Sequence, residues 1–153
     1  FTNPLDASER VVSEKVSRQI TNMMQSVANQ GTARRLRSWY GIHEPIAAKT
    51  GTTQNNSDGW FMGMVPNLVT GVWVGGEERA THFKNIAYGQ GASMALPIWG
   101  LYMTKNYEDK ELGISTDDFE KPEDMSIVTD CTQFIENQQK DEQIEDDLED
   151  LDL

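Results

Sequence analysis

Chemistry in this 153-residue chain concentrates in Lys49-Thr50-Gly51-Thr52-Thr53. One ammonium, three hydroxyls and a glycine follow one another on a segment that reads as a strand ending in a polar turn. That combination makes a receptor for a carboxylate. Lys49 supplies charge, the threonines donate hydrogen bonds, and Gly51 lets a ligand approach the backbone. At the edge of a sheet, such a strand also accepts an extended peptide as an additional strand. The plainer reading is an ordinary strand before a turn, because Lys-Thr-Gly arises by chance in a chain this long about once in thirty at average residue frequencies.

The other candidates are weaker. His43, His82 and Cys131 share no ligand spacing, so neither a metal site nor another cofactor is expected, and Cys-His catalysis has little support. Asp58 stands before Trp60 in a turn context and reads as a capping carboxylate rather than a general acid. Trp60, Phe61, Trp73 and Trp99 read as core rather than as a ligand platform. Arg34, Arg35 and Arg37, with Trp39 and Tyr40, fill a connector from Thr32 to Pro45. Three arginines are a small footprint for nucleic acid, and solvated loop arginines are the simpler expectation.

The elements that must position the Lys-Thr-Gly strand follow from periodicity. Val11–Asn29 predicts a helix with Ser13 as N-cap and Glu14 in its first turn. Val16, Ile20, Met23, Met24 and Val27 form its apolar stripe, and Gly31 follows as terminator. Three strands come next: Ile46–Thr53, Gly59–Val65 and Leu68–Gly75. Only Pro66-Asn67 separates the last two, which predicts a tight antiparallel hairpin. Both alternating sets of Trp60–Val65 are apolar apart from Gly63, so helices are expected on each side of the sheet. A glycine-containing connection from Gly75 to Gly91 leads to a second helix over Ala92–Tyr107, with Pro97 in its first turns or at a kink.

The net charge of −12 is unevenly spread. Up to Thr116 there are 11 Lys+Arg and 10 Asp+Glu; from Asp117 there are 2 and 15. The acidity therefore belongs to the tail. Residues 1–112 are expected to form the globular part, and residues 113–153 an acidic, largely disordered tail, especially from Glu136. Cys131, the single cysteine, reads as an exposed spectator thiol. No stretch of apolar residues is long enough to span a membrane. A chain opening on Phe1 suggests a piece of something longer.

At the Lys-Thr-Gly strand the sequence resembles the transpeptidase domain of class A penicillin-binding proteins. Lys-Thr-Gly is the third signature of their serine acyl-transferase superfamily, after Ser-x-x-Lys and Ser-Asp-Asn. Four further blocks resemble the class A pattern in the same order. Val27-Ala28-Asn29-Gln30-Gly31-Thr32-Ala33 ends a helix, Asp58-Gly59-Trp60-Phe61-Met62-Gly63 and Val69-Thr70-Gly71-Val72-Trp73-Val74-Gly75 are strands, and Ala95-Leu96-Pro97-Ile98-Trp99 opens the closing helix. Ala48 departs from the pattern, replacing a common glycine. No Ser-x-x-Lys or Ser-x-Asn occurs anywhere in the chain, so the nucleophile is expected upstream of it.

The resemblance implies an α+β chain, the C-terminal part of a β-lactamase/transpeptidase-like fold, with a three-stranded antiparallel meander and flanking helices. It implies a peptidoglycan D,D-transpeptidase that cross-links D-Ala-D-Ala stem peptides through a serine acyl-enzyme and is inhibited by β-lactams. Lys49, Thr50, Gly51 and Thr52 would bind substrate, and the backbone N–H of Thr52 would be one oxyanion donor. An upstream glycosyltransferase domain and membrane anchor, and a place at the outer face of the bacterial cytoplasmic membrane, are implied too. A D,D-carboxypeptidase or serine β-lactamase relative is one alternative. A non-catalytic peptide-binding module with an acidic interaction tail is another.

Overall fold

The computed structural model describes residues 10–121, together with residues 132, 135, 136 and 138–140. The chain divides into two units, Phe1–Lys121 and Pro122–Leu153. In the first, the order is α1 (Glu14–Asn29), α2 (Arg35–Ser38), β1 (Ala47–Thr52), β2 (Asp58–Val65), β3 (Leu68–Gly75), α3 (Ile86–Gly89), α4 (Gly91–Glu108) and a 3-10 turn at Lys110–Leu112. The expected α+β architecture with a three-stranded meander is present.

Helix α1 begins where its cap dictates. The Ser13 hydroxyl accepts from the Val16 amide at 3.3 Å, satisfying one of the helix's orphan donors. Val11 and Val12, expected to be helical, precede the cap and are exposed. At the other end the amides of Gln30 and Gly31 both donate to the Ser26 carbonyl. Gly31 is needed for space, since a Cβ there would lie 2.9 Å from the Val27 Cα. The apolar stripe is only partly used: Val16, Ile20 and Met23 are exposed, whereas Ala28 joins the core.

The sheet order is β1-β2-β3, so β1 and β3 are its edges. Ala48 pairs with Gly63, Thr50 with Phe61 and Thr52 with Gly59; Phe61 in turn opposes Val72. These residues share the inner face, against which α4 packs. Trp99 of α4 meets Phe61 at 5.2 Å between ring centroids and donates its indole N–H to the Thr70 hydroxyl at 2.7 Å. Gly63 is buried beneath that indole, which would collide with any side chain there. Ala33, Leu36, Ile42 and Ile46, from the segment around α2, complete the core.

Two expectations need correction. Lys49, Gly51, Trp60, Met62, Val69 and Trp73 occupy the outer face, where Trp60 is 47% and Trp73 48% exposed. Ala47, at the other end of the same face, is buried, but these residues stay exposed or half-buried among the described residues, so the two apolar sets of β2 do not imply full cover on both sides within this chain. Phe61 and Trp99 are core as expected; Trp60 and Trp73 instead meet each other at 6.5 Å. The connector, in turn, is not simply solvated. It holds the short helix α2, and Arg37 donates to the carbonyls of Ile42 at 2.7 Å and Glu44 at 2.6 Å and to Asn29 Oδ1 at 2.8 Å. Burial lowers the Arg37 pKa, an effect that Glu44 and Tyr107 oppose. Composition marks arginines as polar; it does not reveal which one ties a loop together.

Residues 113–121, assigned to the tail by composition, belong to the first unit and are hydrogen-bonded to α1 and to the turn between β2 and β3. Arg18 donates to Glu120 at 2.6 Å, Gln25 to Asp118 at 2.9 Å, and Asn67 to the Gly113 carbonyl at 2.8 Å. Cys131 and most residues beyond Glu136 lie outside the described ones. Of that stretch, Glu136 and residues 138–140 are helical and exposed. No helix of the described residues is long and apolar enough to cross a membrane.

Candidate functional site

Strand β1 changes character halfway. Ala47 and Ala48 are buried, whereas residues 49–52 are exposed or half-buried. The four residues singled out by sequence thus occupy the accessible half of an edge strand. Their polar groups divide by the two-residue alternation of the strand. Lys49 and Gly51 belong to the outer face, Thr50 and Thr52 to the inner face, where α4 begins.

The backbone divides in the same way. The Thr53 amide donates across to the Asp58 carbonyl at 3.2 Å. In an antiparallel ladder the residues flanking such a bond turn their amides away from the partner strand. The amides of Thr50 and Thr52 therefore face the free edge. Lys49 bends toward the same edge, its Nζ donating to the Thr50 carbonyl at 2.8 Å. An ammonium, a carbonyl and the Thr52 amide are thereby brought together along an edge that no other strand of the described residues occupies.

Each threonine hydroxyl has a partner behind it. Thr50 Oγ1 lies 3.0 Å from Thr32 Oγ1, and Thr52 Oγ1 accepts from the Gly91 amide at 3.0 Å. Thr53 instead supports the turn: its hydroxyl accepts from the amides of Ser57 at 3.1 Å and Asp58 at 2.9 Å. Asn56 takes the left-handed conformation that closes this turn, φ 58°. The Asp58 carboxylate lies 3.0 Å from the Ser57 hydroxyl, inside the turn and at the start of β2. Gly51 serves space as well as openness, because a Cβ there would sit 3.1 Å from that of Trp60.

Thr32 and Gly91 are the site neighbours that sequence reasoning passed over as functional residues. Thr32 stood only in a helix-ending block, and Gly91 only at the end of a connection. The available signal for Gly91 was a glycine immediately before a helix and far from any turn requirement. No group of three or more His, Cys, Asp or Glu able to hold a metal exists among the described residues.

Residues 2–93 match the family model described as the penicillin binding protein transpeptidase domain. The chain belongs to that family. It is 36% identical over 123 residues to penicillin-binding protein 1A of Aquifex aeolicus, covering 78% of this chain and 15% of that protein. It is also 36% identical over 105 residues to penicillin-binding protein 1A of Pseudomonas aeruginosa, covering 69% and 12%. The fold is similar to the crystal structure of penicillin-binding protein 1A from Haemophilus influenzae, with a TM-score of 0.62 and 25% identity over 76% of this chain and 17% of that one. The chain thus spans a small fraction of the length of the relatives it matches. The Lys-Thr-Gly triplet that carries the resemblance lies in the accessible half of β1.

Proposed function

We propose that this chain is the part of a peptidoglycan D,D-transpeptidase that carries its substrate-binding strand. The observation that carries the reading is the edge of β1, where Lys49 Nζ, the outward Thr52 amide and the hydroxyls of Thr50 and Thr52 fall on one accessible stretch. A D-Ala-D-Ala stem peptide lies along this edge as an added strand. Lys49 and the threonine hydroxyls hold its terminal carboxylate, while Gly51 leaves the backbone open to it. The Thr52 amide donates to the carbonyl oxygen as that oxygen gains charge in the tetrahedral intermediate.

The nucleophile is a serine outside this sequence. Its oxygen bonds to the carbonyl carbon, the peptide C–N bond breaks, and the serine proton passes to the departing amine of D-alanine. A neighbouring stem amine then attacks the ester, loses a proton and restores the serine. A β-lactam takes the same route until its ring opens and leaves the serine acylated. Residues 1–112 supply this part of the catalytic domain, residues 113–121 are bonded to them, and the remaining acidic residues follow in sequence. The whole enzyme works at the outer face of the bacterial cytoplasmic membrane, held by an anchor outside this sequence and joined to a glycosyltransferase domain.

The test is Lys49→Ala in the full-length protein, with acylation by a fluorescent penicillin followed in time. The second-order rate is expected to fall about 30- to 1000-fold, on the scale of one lost transition-state donor. Thermal stability should scarcely change, because the exposed Lys49 makes few packing contacts. Unaltered acylation by a folded variant overturns the assignment.

A further inference from the structure

We propose that Gly91, the first residue of α4, is a positioning residue that sets the Thr52 hydroxyl as a donor toward a carboxylate at the β1 edge. The inference rests on the reading of β1 as the substrate strand. Its basis is the direction of one hydrogen bond. A backbone amide can only donate, so at 3.0 Å from Gly91 N the Thr52 oxygen must be the acceptor. A hydroxyl carries one proton, and this one cannot point at the amide. Among the described residues the hydroxyl makes no second hydrogen bond. Thr52 is itself exposed, which leaves its proton to an acceptor arriving from outside.

The contact exists because two glycines, Gly91 and Gly59, let the helix start lie flat on the strands. A Cβ on Gly91 would collide with the carbonyl oxygens of Gly51 and Trp60. A Cβ on Gly59 would lie 3.2 Å from the Gly91 Cα. The sheet side is thereby kept bare where α4, 18 residues long, presents its first amides. Those amides carry partial positive charge, which favours an anionic acceptor over a neutral one. Gly91 therefore acts through Thr52, fixing both the direction of its proton and the sign of the partner it suits.

The test uses the full-length protein and two probes, benzylpenicillin and its methyl ester, which differ in whether the ligand presents a carboxylate. Replacing Gly91 by glycolic acid removes the donor N–H without adding a side chain; Gly91→Ala separately displaces the helix start. Thr52→Val deletes the hydroxyl and Thr52→Ser keeps it. For benzylpenicillin, the glycolate variant and Thr52→Val should each slow acylation about ten- to a hundredfold, the scale of a hydrogen bond to a charged group. Combined, they should lose no more than Thr52→Val alone. Thr52→Ser should match the parent, and the methyl ester should be indifferent to both losses. Multiplying losses in the double variant, or equal losses with the ester, would make Gly91 merely structural and overturn the proposal. Lys49→Ala run in parallel separates the two readings. If it leaves acylation unchanged, the substrate strand itself is misassigned. If only the glycolate variant is silent, the strand stands and Gly91 has no such role.

Discussion

Single side chains around α2 and α4 show how polar groups are spent inside a small core. The Tyr107 hydroxyl is buried without a hydrogen-bond partner among the described residues. Burial, with a smaller push from Glu44, raises its pKa to about 12, and Arg37 opposes both. A phenol is neutral while protonated, and its unfolded value is about 10. Between about pH 10 and 12, then, the folded state keeps a proton that the unfolded state releases. The contribution is fully present below pH 10 and is lost as the pH rises through 12. Tyr107→Phe should accordingly leave the urea midpoint at pH 7 unchanged or slightly raised, because no hydrogen bond is lost. It should also flatten the alkaline decline of that midpoint. A variant whose midpoint falls as steeply as the parent's across that window would show that Tyr107 is not the group responsible.

Among the elements, α4 does the most, since it covers the inner face and begins at the candidate site. Its contact with β2 depends on Gly63 beneath Trp99. Gly63→Ala should destabilise the fold by about 1–3 kcal/mol, the usual cost of overpacking, visible as a lower thermal midpoint; an unchanged midpoint would mean that the indole moves aside freely. Much at this scale was legible in the sequence. Pro66-Asn67 between two apolar runs marks β3 at Leu68–Gly75, where the strand is found, and Ser13 caps α1 as its type and position predict. The Lys-Thr-Gly stretch could be read as a strand because it is local. Its supports could not: Thr32 is 18 residues from Thr50, and Gly91 is 39 from Thr52. Nothing in local periodicity announces such a contact. The outer face is not legible for a related reason, because an apolar set shows what a strand can bury, not whether this chain supplies the cover.

For the molecule as a whole, the proposed mechanism takes its nucleophile from a Ser-x-x-Lys that these 153 residues do not contain. Electrostatic stabilisation has nothing to stabilise without a covalent step. The isolated chain incubated with fluorescent penicillin should show no covalent adduct by denaturing gel or mass spectrometry. A stoichiometric adduct on any serine here would demand a different mechanism. The chain's four tryptophans meanwhile partition it optically. Trp39, Trp60 and Trp73 are open to solvent, whereas Trp99 is sealed and hydrogen-bonded. Three indoles therefore share their emission with water and dissolved quenchers, and one reports only on the core. Light from this molecule separates its surface from its interior without any label being attached.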